Sequence, residues 1–361
     1  MHMNSRDRFV NVLTGKGADR VPFFKMFGGI NKCHAAWEAE SPGISKNIDK
    51  VLQFEGYGRG WAEAPVNMRL SRLPPPSILS DEETKYTRRN GDGSVEVIGK
   101  GNDKFEHTLE YPVKSRKDWE KIKNEFMAAD DPGRFPENWE ALVKEYGERE
   151  YALELSHRGV YGFTRDMLGD ENLAFAFYDD PELVRDIMTS YTDMALNIWD
   201  RMVKDVEFDL IECWEDMAFR SGAMISPEAF REFMKPVYQR IAAFAKDHNI
   251  KIILVDCDGY IEELAGLMLE SGVTSMYPCE VFAGNDVSRM LDRYPNLSLM
   301  GGLEKNTMAQ GKEEMDREIE KAARLIKKGR YIPGPDHFVL SNVPFANYKY
   351  FMENLRKVIV K

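Results

Sequence analysis

Several features that mark common protein classes are scarce or absent in this sequence. There are only 4 cysteines among 361 residues, too few for the disulfide scaffold of a small secreted domain. No apolar run approaches the roughly 18 residues that span a bilayer, and the polar start MHMNSRDRFVNVL is not typical of a signal peptide. Lys and Arg number 49 against 60 Asp and Glu. We therefore expect a cytoplasmic protein that binds neither membrane nor nucleic acid.

The short motifs of several large enzyme classes are also missing. No G-x-G-x-x-G follows the first predicted strand, which disfavours a dinucleotide-binding fold. The chain has no HExxH, no pair of CxxC motifs, no phosphate loop and no G-x-S-x-G elbow. Candidate functional residues must therefore be sought from their positions in the predicted fold.

Apolar segments that end in polar residues recur along the chain with helical segments between them. They are residues 20–24, a segment near 55–65, and the stretches YALELSHRG, DLIECWED, IKIILVDCDG, VTSMYPCEV, NLSLMGG and RYIPGPDHF. Spacings of roughly 20–40 residues are typical of parallel βα units. Seven or eight such strands predict a TIM (β/α)8 barrel with extra N-terminal helices, formed as one domain by residues 1–361. A doubly wound open sheet is the alternative.

Residues 74–113 differ in character from the rest of the chain. Three consecutive prolines precede TKYTRR and SVEVIG, which flank the turn sequence NGDG. Asn-Gly and Asp-Gly supply the positive φ angles of a tight turn. This pattern predicts a β-hairpin inserted into the barrel, in a position to cover a site.

Polar residues collect where the predicted strands end, which is where a parallel barrel carries its chemistry. These residues are Glu154, Ser156, His157, Arg158, Glu212, Cys213, Glu215, Asp216, Asp256, Cys257, Asp258, Cys279, Glu280, Glu304, Lys305, Asp336 and His337. Some have simpler explanations: Cys213 is expected to be a small buried hydrophobic residue, and Glu212, Glu215 and Asp216 can cap the following turn.

The strongest group of these residues is Asp256 and Asp258 with Cys279 and His337. Residues two apart in a strand point the same way, so both aspartates are expected to face the barrel mouth. Oxygen, nitrogen and sulfur ligands converging from different strands are what zinc or another divalent ion needs. An aspartate network with Arg or Lys and no metal is the alternative.

Four long stretches resemble the uroporphyrinogen decarboxylase superfamily. They are DRVPFF, ISPEAFREFMKPVYQRI, DCDGYIEELAGLMLESGV and YIPGPDHFVLSNVPFANY, and the resemblance runs from about residue 5 to 357. It implies a TIM barrel with its site at the mouth. True uroporphyrinogen decarboxylases carry an arginine-rich R-Q-A-G-R-Y segment that binds substrate carboxylates. The corresponding stretch, FFKMFGGINKCHAAWEAE, has no arginine, which disfavours porphyrin decarboxylation.

The stretch GGLEKNTMAQGKEEMDREI resembles decarboxylase-like proteins that accompany corrinoid proteins. That branch contains zinc methyltransferases. In its coenzyme M members, zinc is held by His-x-Cys on one strand and by a Cys near the C-terminus. Asp256 and Asp258 fall on the first two positions, and His337 falls near the third. Because oxygen ligands make zinc a stronger Lewis acid, a methoxy donor is favoured over coenzyme M.

The predicted function is transfer of a methyl group between a small O- or N-methyl compound and a corrinoid protein. The predicted metal ligands are Asp256, Asp258, Cys279 and His337. The predicted catalytic residues are Glu215, His157 and Asp336, and the predicted substrate contacts are Glu154, Arg158, Tyr277 and Glu280.

The corrinoid is expected from a partner, because the chain has no D-x-H-x-x-G sequence. The family resemblance also implies a homodimer. Two alternatives remain: a decarboxylase of a carboxylated tetrapyrrole, which needs no metal, and a non-catalytic corrinoid- or tetrapyrrole-binding protein.

Overall fold

Strands and helices alternate along most of the chain, of which the computed structural model describes residues 3–27, 33–100 and 105–360. The strands are β1 (Trp61–Glu63), β2 (Ser77–Asp81), β3 (Lys85–Arg89), β4 (Val95–Gly99), β5 (Glu106–Glu110), β6 (Ala152–His157), β7 (Leu210–Trp214), β8 (Ala218–Phe219), β9 (Gly222–Ala223), β10 (Ile252–Asp256), β11 (Ser275–Tyr277), β12 (Ser298–Leu303) and β13 (Tyr331–Pro335).

The helices lie before, between and after these strands. They are α1 (Ser5–Thr14), α2 (His34–Glu40), α3 (Ile44–Leu52), α4 (Arg116–Phe126), α5 (Trp139–Gly147), α6 (Val160–Leu168), α7 (Asp170–Asp179), α8 (Pro181–Met202), α9 (Pro227–Ala229), α10 (Lys235–Asp247), α11 (Glu262–Glu270), α12 (Val287–Arg293), α13 (Thr307–Gln310), α14 (Lys312–Ile326) and α15 (Phe345–Val360). A 3₁₀ turn covers Pro132–Arg134, and a π-helical turn covers Phe230–Met234. Among the helices in the described ranges, none has the length and apolar character to cross a bilayer.

Seven strands form one parallel sheet in the order β1-β6-β7-β10-β11-β12-β13. Strands β10, β12 and β13 are buried along their whole length, as expected of parallel strands covered on both faces. Side chains from the first strand to the last share one hydrophobic cluster, which includes Trp61 of β1 and Ile332 of β13. The sheet therefore curls into a barrel-like form, and the prediction of a parallel α/β fold is confirmed.

The predicted strand at residues 20–24 is wrong. This segment is extended but makes no strand pairing, and no backbone ladder joins β1 to β13 in the described part of the chain. Two backbone hydrogen bonds hold the segment beside the loop before β1, one to the Phe23 carbonyl and one from the Met26 amide. Phe23 and Phe24 are buried, so the apolar pattern reflected core packing and not a strand.

Helix α1 fills the N-terminal end of the barrel. Phe9, Val12 and Leu13 belong to the cluster that contains the inward-facing strand residues, and α1 contacts β6, β10, β12 and β13. The buried Ser298 hydroxyl donates to the Leu13 carbonyl over 2.6 Å. With this end closed, the opposite end, at the C-termini of the strands, is the open one. The predicted N-terminal helices are thus present as α1, α2 and α3.

The inserted segment is larger than the predicted hairpin. Strands β2, β3, β4 and β5 form a separate four-stranded antiparallel sheet. The predicted hairpin is its central pair, β3 and β4, whose turn is closed by the Asn90 amide donating to the Ser94 carbonyl over 2.8 Å. The apolar pattern does not predict the outer strands, because β2 and β5 are largely exposed and lack a buried apolar face.

Candidate functional site

The strand register brings a set of polar side chains to the inside of the barrel mouth. Paired residues of neighbouring parallel strands point to the same side of the sheet. The pairs are Glu63 with Glu154, Ser156 with Glu212, Trp214 with Asp256, and Asp256 with Tyr277. These side chains therefore converge, although they are up to 214 residues apart in the sequence.

A cavity of about 470 Å³ opens at this end of the barrel, which is within the usual size range of a small-molecule site. Its lining combines aromatic and apolar groups with six carboxylates and three arginines. The carboxylates are Glu63, Glu154, Glu212, Asp216, Asp256 and Asp258, and the arginines are Arg59, Arg69 and Arg158.

Arg59 is the centre of a hydrogen-bonded network at the floor of this cavity. Its guanidinium forms an ion pair with Glu212 and donates to the Tyr277 hydroxyl over 2.7 Å. The Trp61 indole N–H donates to Glu154 over 2.7 Å and to Glu212 over 2.9 Å. The Tyr277 hydroxyl lies 2.8 Å from Asp256 Oδ2 and also bonds to Glu212.

Arg59 is not among the predicted site residues, although the sequence carries a signal for it. Arg59 lies in GYGRGW, just before the predicted strand near 55–65. Its loop packs tightly, since a Cβ on Gly60 would lie 2.4 Å from the Phe24 ring and one on Gly56 would lie 2.3 Å from the Gly60 carbonyl oxygen. Both glycines have positive φ. Glycines flanking an arginine at a strand start thus indicated a tight loop that presents the arginine to the barrel.

The pKa values of the three buried carboxyl groups in this network are shifted in different directions. Burial raises the pKa of Glu154 well above its usual value, and the neighbouring Glu212 charge adds to the shift. Burial and the Glu212 charge likewise raise the pKa of Asp256. Burial also opposes ionisation of Glu212, but the Arg59 charge and several hydrogen bonds outweigh it and lower the pKa. Glu212 therefore ionises more readily than Glu154 and Asp256 beside it.

Two groups of side chains at the mouth have ligand atoms close enough to hold a cation. Asp258, Glu280 and His337 form one group and Asp216, Asp256 and Asp258 the other, with ligand atoms within 4.8 Å of one another in each. Within the first group, His337 Nε2 lies 3.1 Å from Asp258 Oδ2. Because zinc prefers a set that includes imidazole to one made only of carboxylates, the first group fits it better.

The family model for uroporphyrinogen decarboxylase (URO-D) matches residues 163–358, which is more than half of the chain. The chain belongs to the URO-D family. The predicted superfamily is therefore confirmed.

One solved structure shows the same fold. A methyltransferase from Methanosarcina mazei superposes with a TM-score of 0.60 at 15% identity, and the match covers 99% of both chains. A putative vitamin-B12 independent methionine synthase from Listeria monocytogenes gives a TM-score of 0.35 at 12% identity, over 60% of this chain and 69% of that one. The second likeness is too low to support an argument. No curated protein sequence matches this URO-D family chain.

Of the predicted metal ligands, three lie in the two cation-sized groups and one does not. Asp256, Asp258 and His337 are members. Cys279 is fully buried and belongs to the hydrophobic cluster under the outer helices, and burial raises the pKa of its thiol. Glu280, predicted as a substrate contact, is instead the third member of the group with Asp258 and His337.

The predicted catalytic residue Glu215 is occupied by structural hydrogen bonds. Its two oxygens accept the amides of Val160, Tyr161 and Gly162 at the start of α6, over 2.7 to 3.0 Å, and also the Tyr238 hydroxyl. Glu215 is fully buried and does not line the cavity. The predicted capping of the following turn is not what Glu215 does, because the helix that it caps, α6, precedes it in the chain.

The other two predicted catalytic residues are also buried. His157 accepts the Gly159 amide at Nδ1 over 3.1 Å, and burial lowers its pKa to about 3. Asp336 accepts the amides of Val281 and Lys305 over 2.8 and 3.0 Å, which ties together the loops after β11 and β12. Its burial raises the pKa to about 6. His157 reaches the cavity wall, whereas Asp336 does not line the cavity.

The remaining predicted substrate contacts all lie at the mouth, but they differ in whether they line the cavity and in what they already bind. Glu154 lines the cavity, and Tyr277 belongs to the Arg59 network beneath it. Arg158 also lines the cavity, but its guanidinium pairs with Asp166 over 2.8 Å and lies over the Trp214 ring at 4.0 Å.

Proposed function

We propose that this URO-D family chain is a metal-dependent methyltransferase that moves a methyl group between a small O- or N-methyl compound and the corrinoid of a partner protein. The observation that carries this proposal is that Asp258 and His337, which form a cation-sized group with Glu280, line the same cavity as Glu154, whose pKa is raised by burial. The group of Asp258, Glu280 and His337 fits a cation, and Glu154 fits a proton donor.

The charge of the cavity supports a substrate other than a polycarboxylated tetrapyrrole. Six of its lining residues are acids and three are arginines, so acids outnumber the arginines that could bind the carboxylates of a porphyrinogen. Two of its three arginines are already paired within the protein, Arg59 with Glu212 and Arg158 with Asp166. Binding several substrate carboxylates requires several unpaired cationic donors.

Asp258, Glu280 and His337 would hold the metal, with a position left for substrate. His337 is 25% exposed and Asp258 is 40% exposed at the side chain, so both are open to the cavity. When bound there, zinc would supply a Lewis acid that polarises the oxygen or nitrogen of the donor. Glu280 also accepts the Lys305 ammonium over 3.1 Å, so a network without metal is the competing arrangement that the experiment must test.

Glu154 would provide the proton that methyl transfer requires. When the bond from methyl to oxygen or nitrogen breaks, its electrons stay with the leaving group, which then takes up a proton. Glu154 is 2% exposed and keeps its proton through burial and the Glu212 charge. Proton donation by a positioned side chain contributes about 10²- to 10⁴-fold in rate.

Metal content tests the cation site directly. We expect about one zinc per chain in the wild-type protein, and loss of that zinc in the double variant Asp258→Ala, His337→Ala. A matched control is Asp292→Ala, His248→Ala, because both residues are exposed and lie outside the cavity. Zinc-free wild-type protein that gains no activity on adding zinc would refute the metal-dependent mechanism.

Methyl transfer itself tests the reaction. Methoxylated and N-methylated donors are screened with Co(I) corrinoid, and we expect Glu154→Gln to lower kcat by about 100-fold or more with little change in donor binding. The exposed Glu140→Gln is the control. Release of CO₂ from a carboxylated tetrapyrrole would favour the decarboxylase instead, and tight corrinoid-protein binding without methyl loss would favour a binding protein.

A further inference from the structure

A second cavity adjoins the mouth cavity along one side. It has a volume of about 410 Å³ and lies between the barrel and the inserted sheet, where Ser94 and Glu96 contribute to its wall. The two cavities share only Arg69, Arg158 and Tyr191. Four of the five residues in the cation-sized groups, Asp216, Asp256, Asp258 and His337, line the first cavity, and none of the five lines the second.

We propose that Arg69 binds an anionic group of the methyl donor at the boundary between these two cavities. The substrate class is then a methylated compound that also carries a carboxylate. This inference rests on the proposed function, because it concerns the donor that occupies the same cavity.

Arg69 is an exposed arginine of the mouth that has no ion-pair partner among the described residues. Arg59 pairs with Glu212, and Arg158 pairs with Asp166. The Arg69 guanidinium forms neither an ion pair nor a hydrogen bond with any residue in the described ranges. An anionic group of a ligand would be its counter-ion.

The acids of the second cavity are engaged with other groups, and Asp166, whose pKa is raised by burial, is influenced by the Arg69 charge without forming an ion pair with it. Glu96 forms an ion pair with Arg88 over 2.9 Å, and Asp166 is held by Arg158 over 2.8 Å. Asp92 accepts the Ser94 amide and hydroxyl over 2.9 and 2.7 Å. An anion at the boundary can therefore pair with Arg69, because the nearby carboxylates of the second cavity already have ion-pair or hydrogen-bond partners.

The backbone that carries Arg69 is held in place by a buried arginine. Arg134 is 1% exposed, and its guanidinium donates to the carbonyls of Asn67, Arg69 and Ala128 over 2.6, 2.9 and 2.7 Å. The side chain of Met68 is buried between these anchored residues. This fixed backbone presents the Arg69 side chain to both cavities, which lowers the entropy lost on binding.

Equilibrium binding tests the proposal without methyl transfer. Acetate, benzoate and 4-methoxybenzoate are each compared by calorimetry with the corresponding amide, using the full-length protein without corrinoid. We expect at least one carboxylate to bind more tightly than its amide. Arg69→Gln should weaken carboxylate binding at least tenfold while the amide changes by less than about twofold. Arg69→Lys should retain part of the preference, because it keeps the charge but not the planar guanidinium.

The exposed Arg317→Gln is the matched control, since this residue lies on α14 outside both cavities. Carboxylates that bind no better than amides, or an equal loss for both ligands in Arg69→Gln, would overturn the proposal. If the carboxylate preference is present but no donor transfers methyl, then the proposed function fails and the anion site stands. If methyl transfer occurs from neutral and carboxylated donors with equal KM in wild type and Arg69→Gln, the anion site fails alone.

Discussion

Glu154 and Glu212 show how the pKa values of two neighbouring glutamates can shift in opposite directions. Both are buried, and burial alone disfavours the charge on each. Arg59 pairs directly with Glu212, whereas its guanidinium is 3.8 Å from Glu154. Charge repulsion then keeps the proton on Glu154. A reaction that needs this proton should slow as pH rises through the raised pKa of Glu154, and Glu154→Gln should lose that pH dependence.

His157 should make the protein less stable in acid. Its pKa is lowered to about 3 by burial, against 6.5 in an unfolded chain. Below pH 6.5 the unfolded state therefore binds a proton on His157, whereas the folded state does not bind it until the pH falls to about 3. The contribution to stability is complete above pH 6.5 and is lost as pH falls towards 3, at roughly 1.4 kcal/mol per pH unit.

Urea unfolding at several pH values from 7 to 4.5 measures this loss. We expect a smaller decline of the free energy of unfolding in His157→Asn than in the wild type. The exposed His248→Asn is the control and should keep the wild-type decline. If the free energy of unfolding declines equally with pH in His157→Asn and in the wild type, then His157 does not cause the decline.

At the level of elements, the loop after β7 is joined to the start of α6 by Glu215. The first amides of a helix have no partner within the helix, and here three of them are satisfied by one carboxylate from another part of the chain. The same carboxylate accepts the Tyr238 hydroxyl from α10. Glu215 therefore positions a helix at the mouth and makes no contact with the cavity.

This arrangement predicts a loss of stability in variants of the cap. Glu215→Gln places an amide group among N–H donors and should lower the free energy of unfolding by about 2–4 kcal/mol. Tyr238→Phe removes one hydrogen bond to a carboxylate and should cost about 1–2 kcal/mol. Urea denaturation measures both. Variants of unchanged stability with strongly reduced kcat would instead support the catalytic role predicted from the sequence.

For the whole molecule, the barrel and the inserted sheet are distinct in their packing. No side chain between β2 and β5 belongs to either of the two hydrophobic clusters formed by the described residues. The start of β2 and the end of β5 lie at the same end of a four-stranded antiparallel sheet, and three strand spacings separate them by about 14 Å. A short linker can therefore replace the sheet.

Replacement of residues 77–110 by a Gly-Ser linker of about eight residues should leave a folded barrel. We expect cooperative thermal unfolding with a midpoint within about 5 °C of the wild type, because the core clusters are unchanged. Calorimetry and far-ultraviolet circular dichroism test this. Loss of cooperative unfolding would show that the sheet is part of the folding unit.

The sequence by itself determined the parallel α/β architecture and most of the strand ends. Continuous apolar runs that end in polar residues predicted β6, β7, β10, β11, β12 and β13. The same pattern failed at residues 20–24, because burial of Phe23 and Phe24 does not reveal whether their backbone is paired. Periodicity reports which side chains are buried, and it reports hydrogen bonding only indirectly.

Only the tertiary structure decided which of the strand-end residues meet, and in what state. Sequence spacing could not tell that Glu215 binds the amides of α6, that Cys279 lies in the outer core, or that Glu280 joins Asp258 and His337. It could not predict that the Arg59 charge lowers the pKa of Glu212 while burial raises the pKa of Glu154. Partners and charge states depend on burial and on distances between residues far apart in the chain, and the chain fixes those only when the barrel forms.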